Sequence, residues 1–129
     1  MAKIEKFEDI ESWKLARDVT KYIYEITSNG NFSGDFALCN QIRRAAISIL
    51  SNIAEGFERG GNKEFVNFLG IAKGSCGEVR CQLYIALDQS YISQGQFQML
   101  SEKLLETNRL IAGLMRYLQQ SELRGSKFK

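Results

Sequence analysis

The chain has 129 residues, 44% of them hydrophobic and 25% charged, and a formal net charge of +2. That length fits one domain with a sizeable core, and so weak a basic balance permits contact with nucleic acid without demanding it. There is no proline and no histidine, so long helices can run unbroken, while the commonest metal ligand and the commonest general base are missing.

The start, Met1 to Lys6, is charged and lacks an apolar signal region. No apolar run reaches the roughly 18 residues that suggest a membrane span. The three cysteines, Cys39, Cys76 and Cys81, match no zinc or redox spacing. Reduced thiols in a cytoplasmic protein are the expectation.

The first helix is predicted from about Ile10 to Thr27. Leu15, Ala16, Val19, Tyr22, Ile23 and Ile26 make its apolar face, with Trp13 at the edge. Ser28-Asn29-Gly30-Asn31 ends it. Asp35 is a suitable N-cap for a second helix, Phe36 to about Phe57. Leu38, Ile42, Ala45, Ile49 and Ile53 form its core stripe. Ile47, Leu50 and Ala54 form an apolar surplus outside it.

Gly60-Gly61 breaks the chain, and Asn62 is expected to cap a third helix running from residue 63 to about Gln89. Phe65, Phe68, Leu69, Ala72, Cys76, Val79, Leu83 and Ala86 make its core face. After a break at Tyr91 to Gly95, with Ser93 a candidate cap, a fourth helix is predicted over residues 94–123. It buries Phe97, Leu100, Leu104, Ile111, Leu114 and Leu118. Arg124, Lys127 and Lys129 would form a solvated basic tail over 124–129. Short links place sequential helices antiparallel. The expected fold is all-α, an up-down-up-down four-helix bundle forming a single domain.

Two patterns lie outside the core. On the second helix, Gln41, Arg44, Ser48, Asn52 and Glu55 share one narrow polar stripe. An antiparallel third helix brings Ser75 and Glu78 beside it. An Arg44–Glu78 pair supported by Gln41 and Ser48 would satisfy buried polar groups and fix register; a ligand-binding or nucleic-acid role for the same residues is the alternative. On the third helix, Gly70, Gly74, Gly77 and Cys81 lie nearly opposite the core face. Each interior glycine costs about 0.8–1.0 kcal/mol relative to alanine. A stripe that tolerates this suggests a face where another backbone approaches closely, a contact between copies of the chain.

The motif Asn52-Ile53-Ala54-Glu55-Gly56 carries a family resemblance. So do Gln41-Ile42-Arg43-Arg44-Ala45, Ser48, Glu64-Phe65, Phe68-Leu69, Ala72, Gly74-Ser75 and Glu78. The opening Phe7-Glu8-Asp9-Ile10 with Trp13-Lys14 adds to it. From about Phe7 to Leu118 the chain resembles the four-helix-bundle proteins encoded in intervening sequences of bacterial 23S ribosomal RNA genes. The resemblance implies a homopentameric barrel with a central channel and no established enzymatic activity. It also implies a distant structural tie to the nucleic-acid-binding accessory proteins of diversity-generating retroelements, which are more basic and lack the Asn-Ile-Ala-Glu-Gly run. This chain departs from the family where a proline often stands in the first interhelical turn; here that place is Asn31-Phe32-Ser33.

For phosphate contact the candidates are Arg43, Arg59, Lys63, Lys73 and Arg80, with Glu58 and Glu64 close enough to blunt their field. Catalysis is the poorest hypothesis, because no nucleophile–base set can be proposed without histidine. No cofactor, metal or small-molecule substrate is expected. The expected function is that of a non-enzymatic homo-oligomeric scaffold, pentameric by the resemblance, whose partner is RNA or a nucleoprotein. The alternative is a protein-only assembly module.

Overall fold

The structure is a computed structural model that describes the backbone of residues 3–128 and the side chains of residues 3–121. Four helices account for most of it: α1 (Glu11–Thr27), α2 (Phe36–Glu58), α3 (Asn62–Asp88) and α4 (Gln94–Phe128). Short 3-10 turns at Phe7–Asp9 and Gly30–Gly34 precede α1 and α2. There is no strand among the described residues.

Pairs of touching residues give the helix directions. Arg43 of α2 reaches Thr27 of α1, while Ala46 lies against Thr20. Ser48 of α2 meets Ser75 of α3, and Gly56 meets Phe65 and Phe68. Tyr84 of α3 meets Phe97 of α4, and Gly70 meets Met115. Lys103 of α4 meets Asp18 of α1. Numbers rise on one helix as they fall on the next in the first three pairings, so sequential helices are antiparallel and α4 closes the square against α1. This is the expected four-helix bundle.

The caps follow from local chemistry. The Asp35 carboxylate accepts from the Leu38 N–H at 3.1 Å and caps α2. Ser93 and Gln96 cap α4 reciprocally, with N–H to side-chain distances of 3.0 and 2.9 Å. Asn62 is not a cap as expected. Gly61 is the N-cap of α3, and Asn62 is already helical. Its amide instead donates to the Leu118 carbonyl at 3.4 Å, tying the start of α3 to α4. The backbone of α4 continues to Phe128, five residues past the expected end. The tail side chains of Arg124 and Lys127, and the whole of Lys129, lie outside the described residues.

The core contains the expected stripes of α2 and α4, and every expected residue of α3 except Phe68, which is half-buried. On α1, Ala16, Val19 and Ile23 are buried; Leu15, Tyr22 and Ile26 are only half-buried. Leu50 packs against the core, so part of the apolar surplus of α2 is internal. Three core residues lie outside the four helices: Ile10, Phe32 and Ile92. Phe32 is fully buried and stacks on Tyr91, ring centroids 5.0 Å apart. The Tyr91 hydroxyl donates to Asp35 at 3.0 Å, which raises its pKa above the usual phenol value. Ser90 takes the left-handed conformation, φ 60°, that lets the Tyr91 N–H bond the Ala86 carbonyl and close α3. One aromatic ring therefore joins the α1–α2 link, the α2 cap and the α3–α4 link.

Candidate functional site

The seam between α2 and α3 holds the most organised polar group of the molecule. Ser75 is buried, and its hydroxyl donates to Ser48 Oγ at 2.8 Å. The Asn52 amide donates to the Ser48 carbonyl at 2.8 Å and to Ser48 Oγ at 3.0 Å. Two hydroxyls in contact require the helices to approach closely at this level. Such a satisfied buried contact fixes the register of the pair.

About two turns further on, the approach is closer still. A Cβ on Gly56 would lie 2.7 Å from Phe68 Cβ and 3.0 Å from Phe65 Cδ1. The glycine that ends the Asn-Ile-Ala-Glu-Gly motif is therefore the point where the last turns of α2 rest on the first turns of α3. Motif and packing meet here: Asn52 holds the hydroxyl contact, Ile53 is core, Glu55 faces out and Gly56 allows the crossing.

Of the seven residues expected in a polar network, only Ser48, Asn52 and Ser75 come together. Glu55 lies in a different contact: its carboxylate accepts from Arg59 at 3.0 Å, and Arg59 also sits 3.6 Å from Glu64. The same guanidinium lies 5.1 Å from the Phe68 ring centroid. The bond to Glu55, then the field of Glu64, raise the Arg59 pKa. Arg59 thus clamps the α2–α3 turn. Glu78 accepts from Gln82 of its own helix at 3.3 Å. The expected Arg44–Glu78 ion pair does not form; Arg44, Gln41 and Glu78 are all exposed. The physical reason is that a pair at such an exposed position gains at most about 1 kcal/mol, while ordering two long side chains opposes it.

The basic candidates divide into committed and free. Arg43 Nε donates to Thr27 Oγ1 at 2.8 Å, and its terminal nitrogen donates to Ser28 Oγ at 3.2 Å. Its guanidinium covers the Tyr24 ring at 4.6 Å. Arg43 fastens the end of α1 to α2, a role invisible in the charge pattern. Arg80 is half-buried, its Nε shielded and without a hydrogen-bond partner. Lys63, Lys73 and Arg44 are exposed and have no ion-pair partner among the described residues.

The outward side of α3 carries the glycine stripe. A Cβ on Gly74 or Gly77 would meet nothing within 4 Å. Gly70 differs: it is half-buried, and a Cβ there would rest 3.9 Å from Met115 of α4. Ile71 and Ile85, 54% and 45% exposed, share the face of Gly74 with Cys81. Ile47, 41% exposed, lies on the outward side of α2. No candidate metal cluster occurs among the described residues, and no described helix is long and apolar enough to cross a membrane.

The three thiols are free and differ in reactivity. Burial pushes Cys76 up to about 12, and burial also raises Cys39, whose thiol donates to the Phe32 carbonyl. Cys81 is exposed. Alkylation of the folded chain near neutral pH should therefore modify Cys81 alone, because thiolate is the nucleophile. Mass spectrometry checks this, and early labelling of Cys76 would contradict the packing of α3.

A family model described as 23S rRNA-intervening sequence protein matches residues 8–113. Among solved structures, the chain is similar to a protein of unknown function from the S23 ribosomal protein family of Bacteroides thetaiotaomicron. The TM-score is 0.73 at 23% identity, covering 81% of this chain and 97% of that one. At that identity the likeness shows the shared fold alone. No curated protein matches. The family model spans most of this four-helix bundle, and the chain belongs to the 23S rRNA-intervening sequence protein family.

Proposed function

We propose that the protein is a non-enzymatic cytoplasmic scaffold whose copies associate, as a pentamer, through the outward faces of α2 and α3, and that the assembly holds an RNA or nucleoprotein partner. The observation that carries the self-association is the open glycine stripe. Gly74 and Gly77 leave open space beside the exposed Ile71 and Ile85, with Ile47 exposed on the neighbouring helix. Exposed apolar side chains grouped around small residues suit a helix of another subunit.

The RNA partner is supported by Arg44, Lys63 and Lys73, exposed cations with no carboxylate partner among the described residues. Repetition around a ring multiplies a modest patch. Protein-only assembly is the second reading, favoured by the commitment of Arg43 and Arg59 to their own chain. Labelled structured RNA, titrated at about 50 and about 200 mM salt with the oligomer mass checked in both, separates the two. Binding that weakens steeply with salt is expected. An intact oligomer that binds no RNA at the lower salt would leave the protein-only module.

A further inference from the structure

At the other side of the bundle, a cavity of about 590 Å3 opens between the start of α1 and α4. Ile4, Ile10, Leu110 and Leu114 give it an apolar wall, and Gly113 leaves room on the α4 side. Three features make its polar side specific. Ser12 lies in the wall, is 1% exposed, and its Oγ has no hydrogen-bond partner. A buried hydroxyl is ordinarily satisfied. Next, α1 starts on Ile10, whose side chain cannot cap it, so its first-turn N–H groups lack a side-chain acceptor. Finally, the wall holds four charged residues, of which three are engaged within the chain. Asp9 accepts from the backbone N–H groups of Glu5 and Lys6. Glu11 pairs with Lys14 and Arg109 with Glu106. Arg116 has no ion-pair partner among the described residues, and its guanidinium nitrogen lies 3.9 Å from the Cβ position of Gly113, both residues lining the cavity.

We propose that this cavity binds a small amphiphile with an anionic head, carboxylate or phosphate, and an apolar body. The head meets Arg116 and the uncapped start of α1, where the helix dipole favours negative charge. The body lies against Ile4, Ile10, Leu110 and Leu114. Apolar walls with a few convergent polar groups are the usual composition of a small-molecule site. The site is on α1 and α4, away from the outward face of α3, so its failure and that of the scaffold reading are independent.

The test is calorimetric titration of the full chain with decanoate, decyl phosphate, decanol and decyltrimethylammonium, each below its micellar concentration. Trp13, the single tryptophan and the neighbour of Ser12, provides a fluorescence readout. Saturable binding of one anion per chain is expected, with decanol weaker by roughly tenfold or more and the cation not bound. Whichever of decanoate and decyl phosphate binds more tightly identifies the head group. Arg116→Gln, at an exposed position, should weaken the anion about tenfold without changing decanol. Gly113→Leu should abolish binding while the helical signal is kept. No saturable binding, equal binding of decanol, or anion binding untouched by Arg116→Gln would each overturn the proposal.

Discussion

Replacing Gly56 by alanine should destabilise the subunit by about 1–2 kcal/mol, even though alanine is the better helix former by about 0.8–1.0 kcal/mol. The added methyl would stand 2.7 Å from Phe68 Cβ. That atom is fixed next to the α3 backbone, so the helix itself must move. Movement there also disturbs Arg59, which links Glu55, Glu64 and the Phe68 ring across the turn, and loosens the Ser48–Ser75 contact about two turns away. Gly56→Leu should cost more than about 3 kcal/mol and prevent native packing of the turn. Gly70→Ala is the internal control. Its methyl makes ordinary contact with Met115, so it should stabilise by about 0.8–1.0 kcal/mol. Urea unfolding at one fixed protein concentration reads all three, since association changes apparent stability. Equal or greater stability of Gly56→Ala would show that α2 and α3 are not held this close.

The second large effect is on assembly. Gly74→Leu should abolish the proposed oligomer while leaving each subunit folded. Inside the subunit a Cβ at this position meets nothing within 4 Å, and leaving the least helical residue but proline gains about 0.8 kcal/mol or less. Against a neighbouring copy, the same side chain occupies the space between Ile71 and Ile85 that a facing helix needs. Sedimentation should show a shift to monomer mass, and circular dichroism should show undiminished helix. Retention of wild-type mass would remove the outward face of α3 from the account of self-association. Cys81, on that face, gives a second readout: its alkylation should speed up as the assembly comes apart.

The helices and most of the core were legible because apolar residues recur with helical period, and Gly, Asn and Ser mark each break. Phe32 and Ile92 were not legible, since a single apolar residue in a loop carries no period. The polar stripe of α2 was legible as a stripe, but its division was not. Angular position places five residues on one side; the local helix separation decides which of them touch. Ser48 and Asn52 have short side chains at a close approach and meet Ser75. Arg44 lies nearer the outside, where water solvates it well. Arg43 and Arg59 looked like candidates for phosphate because charge can be counted in a sequence, whereas Thr27, Ser28, Glu55 and Glu64 become their partners only after folding. Gly56 stood out in the sequence as part of a motif, and its reason emerged only from the helix opposite.

The tie at Tyr91 has a mechanical consequence. The start of α1 and the late turns of α4 lie at one end of the bundle, while Tyr91, Phe32 and Asp35 join the two outer links at the other. Tension applied between residue 3 and residue 121 therefore peels α1 from α4 like a zipper, one contact at a time, through Asp18 and Lys103. The aromatic tie lies at the far end of that seam, so it is the last contact between the two links that the peeling reaches.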